Sequence, residues 1–163
     1  MGNAARTAVF AILVHGFFLA AVPAALLVSG VAFFEFPGRH PFAAAALFAA
    51  GAALYASTLV DFVRTGEGTP AAWDPPRRFV RRGGYRYVRN PMYVGMFLVL
   101  AAEAAGLGSS AIAAYLAVLW GSFHLFVVFH EEPTLQRKFG ADYETYRRSV
   151  PRWLPRPPRT EEA

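Results

Sequence analysis

Residues 92–129, MYVGMFLVLAAEAAGLGSSAIAAYLAVLWGSFHLFVVF, are almost wholly apolar. They carry one carboxylate, Glu103, and no lysine or arginine. Two apolar runs, 92–107 and 110–129, flank an uncharged turn at Gly106-Leu107-Gly108-Ser109-Ser110. The segment therefore reads as a helical hairpin that enters a bilayer and returns. Arg89-Asn90-Pro91-Met92-Tyr93-Val94-Gly95 opens the hairpin and Glu131-Glu132 closes it. A hairpin comes back to the side it left, so both polar clusters meet at one face. Carboxylates, arginines and tyrosines gathered beside lipid suit a polar cofactor acting on a lipid-like substrate.

Composition agrees with a membrane class. Of 163 residues, 55% are hydrophobic and 17% charged, against about 25% charged in soluble domains. There is no cysteine, which excludes disulfides, thiolate metal sites and a cysteine nucleophile. The net charge of +5 does not indicate nucleic acid, because of how it is distributed. Seven of the sixteen Lys and Arg lie in 64–89 and seven in 137–159, leaving only Arg6 and Arg39 elsewhere.

Two further apolar stretches, 7–30 and 42–63, give four expected spans. A span needs roughly 20 apolar residues at about 1.5 Å each, so 92–107 is short and 7–30 is too long for a signal-peptide core. The turns at Gly38–Pro41 and 106–110 carry almost no positive charge, whereas the other two connections are arginine-rich. The Lys/Arg bias places the arginine-rich side, and both termini, in the cytoplasm. The Ala- and Arg-rich composition suits a bacterial inner membrane.

The connection from 65 to 90 contains Gly66, Gly68, Pro70, Pro75, Pro76, Gly83 and Gly84, too many breakers for a long helix. Past the fourth span, Leu135, Phe139, Tyr143 and Tyr146 recur as one stripe, so an amphipathic helix is expected there, broken at Gly140. The Pro- and Arg-rich tail after Pro151 is expected to be extended and to touch anionic lipid. Residues 1–64 form an N-terminal membrane hairpin in this reading, and 65–163 the part that carries the chemistry.

Pro91 suits the first turn of a helix, Asn90 its N-cap, and the free amides there suit an anionic ligand. Gly95, one turn on, leaves room for close approach. Of Glu131 and Glu132, one is a candidate ligand for a cation. His124 lies seven residues before Glu131, on the same helical face, and can hydrogen-bond toward a ligand. A haem would need facing histidines such as His15 with His124 or His130, but no attachment motif accompanies them, and no metal site is expected. Asp61 and Glu103 lie near span ends, and the first span has no carboxylate, which weighs against a proton-coupled transporter.

The order of these motifs resembles the isoprenylcysteine carboxyl methyltransferases and the related phospholipid methyltransferases. The matching residues are Gly83-Gly84-Tyr85-Arg86-Tyr87-Val88-Arg89-Asn90-Pro91-Met92-Tyr93-Val94-Gly95, then Glu131-Glu132-Pro133-Thr134-Leu135, then Phe139-Gly140-Ala141-Asp142-Tyr143-Glu144-Thr145-Tyr146 and Val150-Pro151-Arg152. The likeness covers residues 69–152, with the first two spans matching only as generic membrane helices. It implies an all-α membrane protein whose cytoplasmic loop, hairpin and C-terminal amphipathic helix form a pocket for S-adenosyl-L-methionine. By position, the resemblance implies that Glu131 pairs with the cofactor ammonium, that Arg89, Asn90, Pro91, Tyr93 and Gly95 belong to the pocket, and that Tyr85 lies near the adenosine. It implies that residues 77–80, with Phe79 and Val80, contribute largely through backbone. Glu132 and His124 are the expected catalytic groups on the acceptor side.

Two departures concern the acceptor. Asn90 stands where the prenylcysteine enzymes have histidine, and Val127 stands where they place a substrate-associated arginine. The expected function is S-adenosylmethionine-dependent methylation of a lipophilic or lipid acceptor other than a prenylcysteine. The competing expectation is a non-catalytic four-helix membrane protein, either a small exporter or a scaffold.

Overall fold

The computed structural model describes residues 3–65 and 81–157. These form an all-α membrane protein, with no strand among the described residues. Helix α1, Asn3–Phe10, runs through two π-helical turns, Ala11–His15 and Phe17–Ala21, into α2, Val22–Ser29. Helix α3 is Pro41–Thr65, α4 is Pro91–Leu107 and α5 is Ser110–Phe126. A third π turn, Val127–Glu131, joins α5 to α6, Glu132–Ser149.

All four expected spans are helical. Ala8–Ser29 and Pro41–Asp61 are long and apolar enough to cross a membrane, and so is the first part of Ser110–Ser149. Pro91–Leu107 has 17 residues, about 25 Å at 1.5 Å per residue, the lower limit for a span. Phe42 is 91% exposed and Val28 89%. Such large apolar side chains pointing outward are what a bilayer covers.

The second π turn of the first span has a local cause. Within Phe17–Ala21 the Val22 N–H reaches the Phe17 carbonyl, five residues back. The next donor in that register would be Pro23, which has no N–H. The Phe18 carbonyl is instead met by the Tyr115 hydroxyl of α5, at 3.2 Å. A polar group freed by proline in a membrane needs such a partner from a neighbouring helix.

Helix α4 is central. Met92, Met96, Val99, Leu100, Ala102 and Ala104 are buried on it, and Leu100 and Ala104 pack with Ile112 and Leu119 of α5. Against α3 the contact is backbone to backbone. A Cβ on Gly51 would lie 2.8 Å from the Gly95 carbonyl oxygen, and one on Gly95 2.9 Å from that of Gly51. At the far end Gly108 closes α4 with φ 66°. Ser109 then caps α5 by accepting from the Ile112 N–H at 3.3 Å.

Helix α6 buries the expected stripe. Tyr143, Tyr146 and Val150 form a small core with Leu135 and Phe139 against it. Gly140, at φ 54° and ψ −124°, breaks the helix as its position foretold. The tail is extended, as expected. Its backbone is also pinned on protein: the Arg89 N–H donates to the Pro151 carbonyl at 2.8 Å and the Arg156 N–H to that of Tyr87 at 3.0 Å. Backbone groups left open by the loop before α4 take up those of the tail.

Candidate active site

The two polar clusters of the hairpin meet, and the acid pair divides its work. Glu132, on the first turn of α6, is buried. Its Oε1 and Oε2 accept from the Arg152 guanidinium at 2.7 and 2.9 Å, and Arg89 approaches Oε1 at 2.9 Å. Both arginines are drawn to one carboxylate, which therefore ties the loop, α6 and the tail together. Glu132, expected among the catalytic groups, is thus placed at the junction of loop, α6 and tail.

Glu131 ends the π turn, just past the membrane part of its helix. Its Oε2 accepts from the Tyr93 hydroxyl at 3.1 Å, and it has no other hydrogen-bond partner among the described residues. Burial pushes its carboxyl up to about 7, with the Tyr93 bond pulling down and the Glu132 charge pushing up. Tyr85 lies in a short 3₁₀ turn, Gly83–Arg86. Burial raises its phenol, and the charges of Glu131 and Asp61 add to this. Gly83, at φ 56°, is set against α3 so closely that a Cβ would collide with the Asp61 carboxylate. Asp61, read from sequence only as a span-end carboxylate, thus belongs to the surroundings of the site.

The remaining expected residues divide between lining and backing. Asn90 precedes α4 at the N-cap, and its carbonyl accepts from the Val94 N–H at 3.1 Å. Its side chain makes no cap bond; it donates to the Arg152 carbonyl at 3.1 Å. Pro91 is fully buried, with Gly84 so close that a Cβ there would lie 2.9 Å from the proline ring. The space at Gly95 is taken by α3. Asn90, Pro91 and Gly95 therefore back the site rather than line it, because helix packing and the tail claim their surfaces. Phe79 and Val80 lie outside the described residues.

His124 sits among rings. Trp120 stacks on it at 5.4 Å and 24°. The Trp153 indole N–H donates to its Nδ1 at 2.9 Å, and Trp153 also neighbours Tyr93 at 6.5 Å and Phe97 at 5.9 Å. An indole N–H can only donate, so Nδ1 accepts and the neutral ring carries its proton on Nε2. His124, expected among the catalytic groups, in this arrangement presents Nε2–H as a donor. Trp153 went unnoticed in the sequence. The available signal was a tryptophan in a Pro- and Arg-rich tail directly after an amphipathic helix.

A multi-pass helical membrane protein with a polar site at the end of a hairpin is thereby defined. A family model described as phospholipid methyltransferase matches residues 40–142, and the chain belongs to that family of membrane methyltransferases. The match takes in α3 as well as the hairpin, beyond the region that the sequence motifs alone covered. No curated protein and no solved structure matches the chain.

Proposed function

We propose that the protein is an S-adenosyl-L-methionine-dependent methyltransferase that takes a lipophilic or lipid acceptor sideways from the bilayer, with its site on the cytoplasmic face. One observation carries this reading: Glu132 engages both nearby guanidiniums, while Glu131 keeps an oxygen with no partner among the described residues. A carboxylate held that way suits the cofactor ammonium. The rings of Tyr85 and Tyr93 suit its sulfonium and base, through cation–π attraction and stacking. When bound, the cofactor supplies a methyl group already activated for displacement. The chain's own contribution is then to position and to exclude water. Tyr93 orients Glu131, the Glu132 clamp closes the tail over the loop, and α4 offers its N-terminal amides to an anionic group.

The charges around the site do not suit an acceptor carboxylate. Val127 is 1% exposed and apolar, and Arg89 and Arg152 are both drawn to Glu132. A prenylcysteine carboxylate would find no guanidinium of its own among these, whereas a neutral or amine-bearing lipid needs none. Calorimetry on the purified protein tests the cofactor reading. Wild type should bind S-adenosyl-L-methionine and Glu131→Gln should bind it about ten- to a hundredfold more weakly, as loss of one charged hydrogen bond implies. Absence of binding by wild type would sink the proposal. Labelled cofactor with a total membrane lipid extract then identifies the acceptor.

A further inference from the structure

His124 lies on the same helix as Glu131 and seven residues before it, roughly 10 Å deeper toward the bilayer at the rise of a helix. Its Nδ1 is taken by the Trp153 indole, which leaves a protonated Nε2 with no hydrogen-bond partner among the described residues. Trp120, stacked on the ring, is 44% exposed, and Leu125 beside it 56%. The imidazole therefore stands at the lipid-facing flank of α5, not in a closed core. Trp153 reaches it because the preceding residue is held three ways: the Arg152 guanidinium on Glu132 at 2.7 and 2.9 Å, and its carbonyl on Asn90 at 3.1 Å.

We infer that His124 is a specificity-determining hydrogen-bond donor for the ester carbonyl of a glycerolipid acceptor, and that Trp153 is the positioning residue that fixes its donating tautomer. The inference rests on the methyltransferase reading for the place of the head group. With the acceptor's polar end at the methyl group of a cofactor held by Glu131, the ester linkages come next toward the hydrocarbon, at the inner edge of an interfacial layer about 5–8 Å thick and within a side chain's reach of the His124 ring. That layer offers acceptors but few donors, and a neutral imidazole N–H supplies one without placing a charge in lipid. Flanking tryptophans suit the same depth. A hydrocarbon chain without carbonyls would make no use of this N–H.

The test is nitrogen-15 NMR of the full protein in nanodiscs of diacyl phosphatidylethanolamine or of its dialkyl ether analogue, with the His124 signals assigned by their loss in His124→Gln. Wild type should show the Nε2–H tautomer, with an Nε2 shift that differs between ester and ether lipid. Identical shifts in the two lipids overturn the carbonyl assignment. Trp153→Phe keeps the ring but loses the N–H. It should lose the tautomer preference and the ester–ether difference while binding S-adenosyl-L-methionine within about twofold of wild type. Retention of the tautomer and of the ester response in Trp153→Phe overturns the role of Trp153. So does a loss of cofactor binding as large as that of Glu131→Gln, which would mean that the tail merely holds the site together. Failure of wild type to bind cofactor sinks the methyltransferase reading separately, because the tautomer readout needs no cofactor. Where the lipid is methylated, KM for the ester form should be about tenfold below that for the ether, the worth of one hydrogen bond.

Discussion

Glu132 and Arg152 meet through two hydrogen bonds, of 2.7 and 2.9 Å, that join the first turn of α6 to the tail twenty residues on. Side-chain exposures of 11% and 28% mean that this pair is largely shielded from water. Glu132→Gln leaves two guanidiniums without their counter-charge. Breaking a shielded ion pair from one side costs about 3 kcal/mol, discounted here for the partial exposure of Arg152 to about 2. A thermal melt in detergent should show that loss, and Trp153 fluorescence should shift as the tail comes away. An unchanged melt would contradict the clamp.

Cofactor affinity should depend on pH through Glu131. Its carboxyl is raised by burial from an ordinary 4.5 to about 7. Below 7 the folded protein holds a proton that a bound ammonium must displace, so affinity falls as pH drops, approaching tenfold per unit. Above 7 it levels off. For folding the sign is the reverse: the group costs nothing below 4.5, and its destabilising effect grows as pH rises to 7 and stays above it. Isothermal titration between pH 5.5 and 8.5 checks the binding limb, and Glu131→Gln should flatten it.

Tyr93→Phe removes the hydroxyl that stabilises the ionised Glu131. One hydrogen bond to a charged group is worth about 1.5 kcal/mol, or about one pH unit. The midpoint of the affinity profile should therefore move upward by up to about a unit in this variant, with little change at pH 8.5. A midpoint that stays in place would show that the hydroxyl does not act on Glu131.

Gly51→Leu should be severely destabilising. Even a Cβ there would lie 2.8 Å from the Gly95 carbonyl oxygen and 2.8 Å from the Leu98 Cβ. Overpacking of this kind costs about 1–3 kcal/mol or more, because backbone rather than a flexible tip must give way. Gly121→Ala is the control, since nothing lies within 4 Å of its Cβ position. Melting temperatures of the two variants decide the matter.

The spans were legible because each is a local property: hydropathy and length require no knowledge of neighbours. The stripe from Leu135 to Tyr146 and the break at Gly140 were legible for the same reason. The π turn that ends at Glu131 was not, since it records a shift of one hydrogen-bond register rather than a change of residue type. The different fates of Glu131 and Glu132 were hidden too. Adjacent identical residues look alike until Arg152, contributed by the tail, selects one of them. Gly95 suits close approach of a ligand by type, yet the surface it opens belongs to Gly51, 44 residues away in the chain. Asn90 suited a cap by type, yet its amide serves the tail.

The Tyr115 hydroxyl that meets the Phe18 carbonyl comes from 97 residues further along the chain. During synthesis the first span therefore reaches the membrane with a carbonyl that its own helix cannot satisfy. It stays so until the last span arrives. The amino-terminal helix is in this sense incomplete alone, and its native register is an outcome of assembly rather than of insertion.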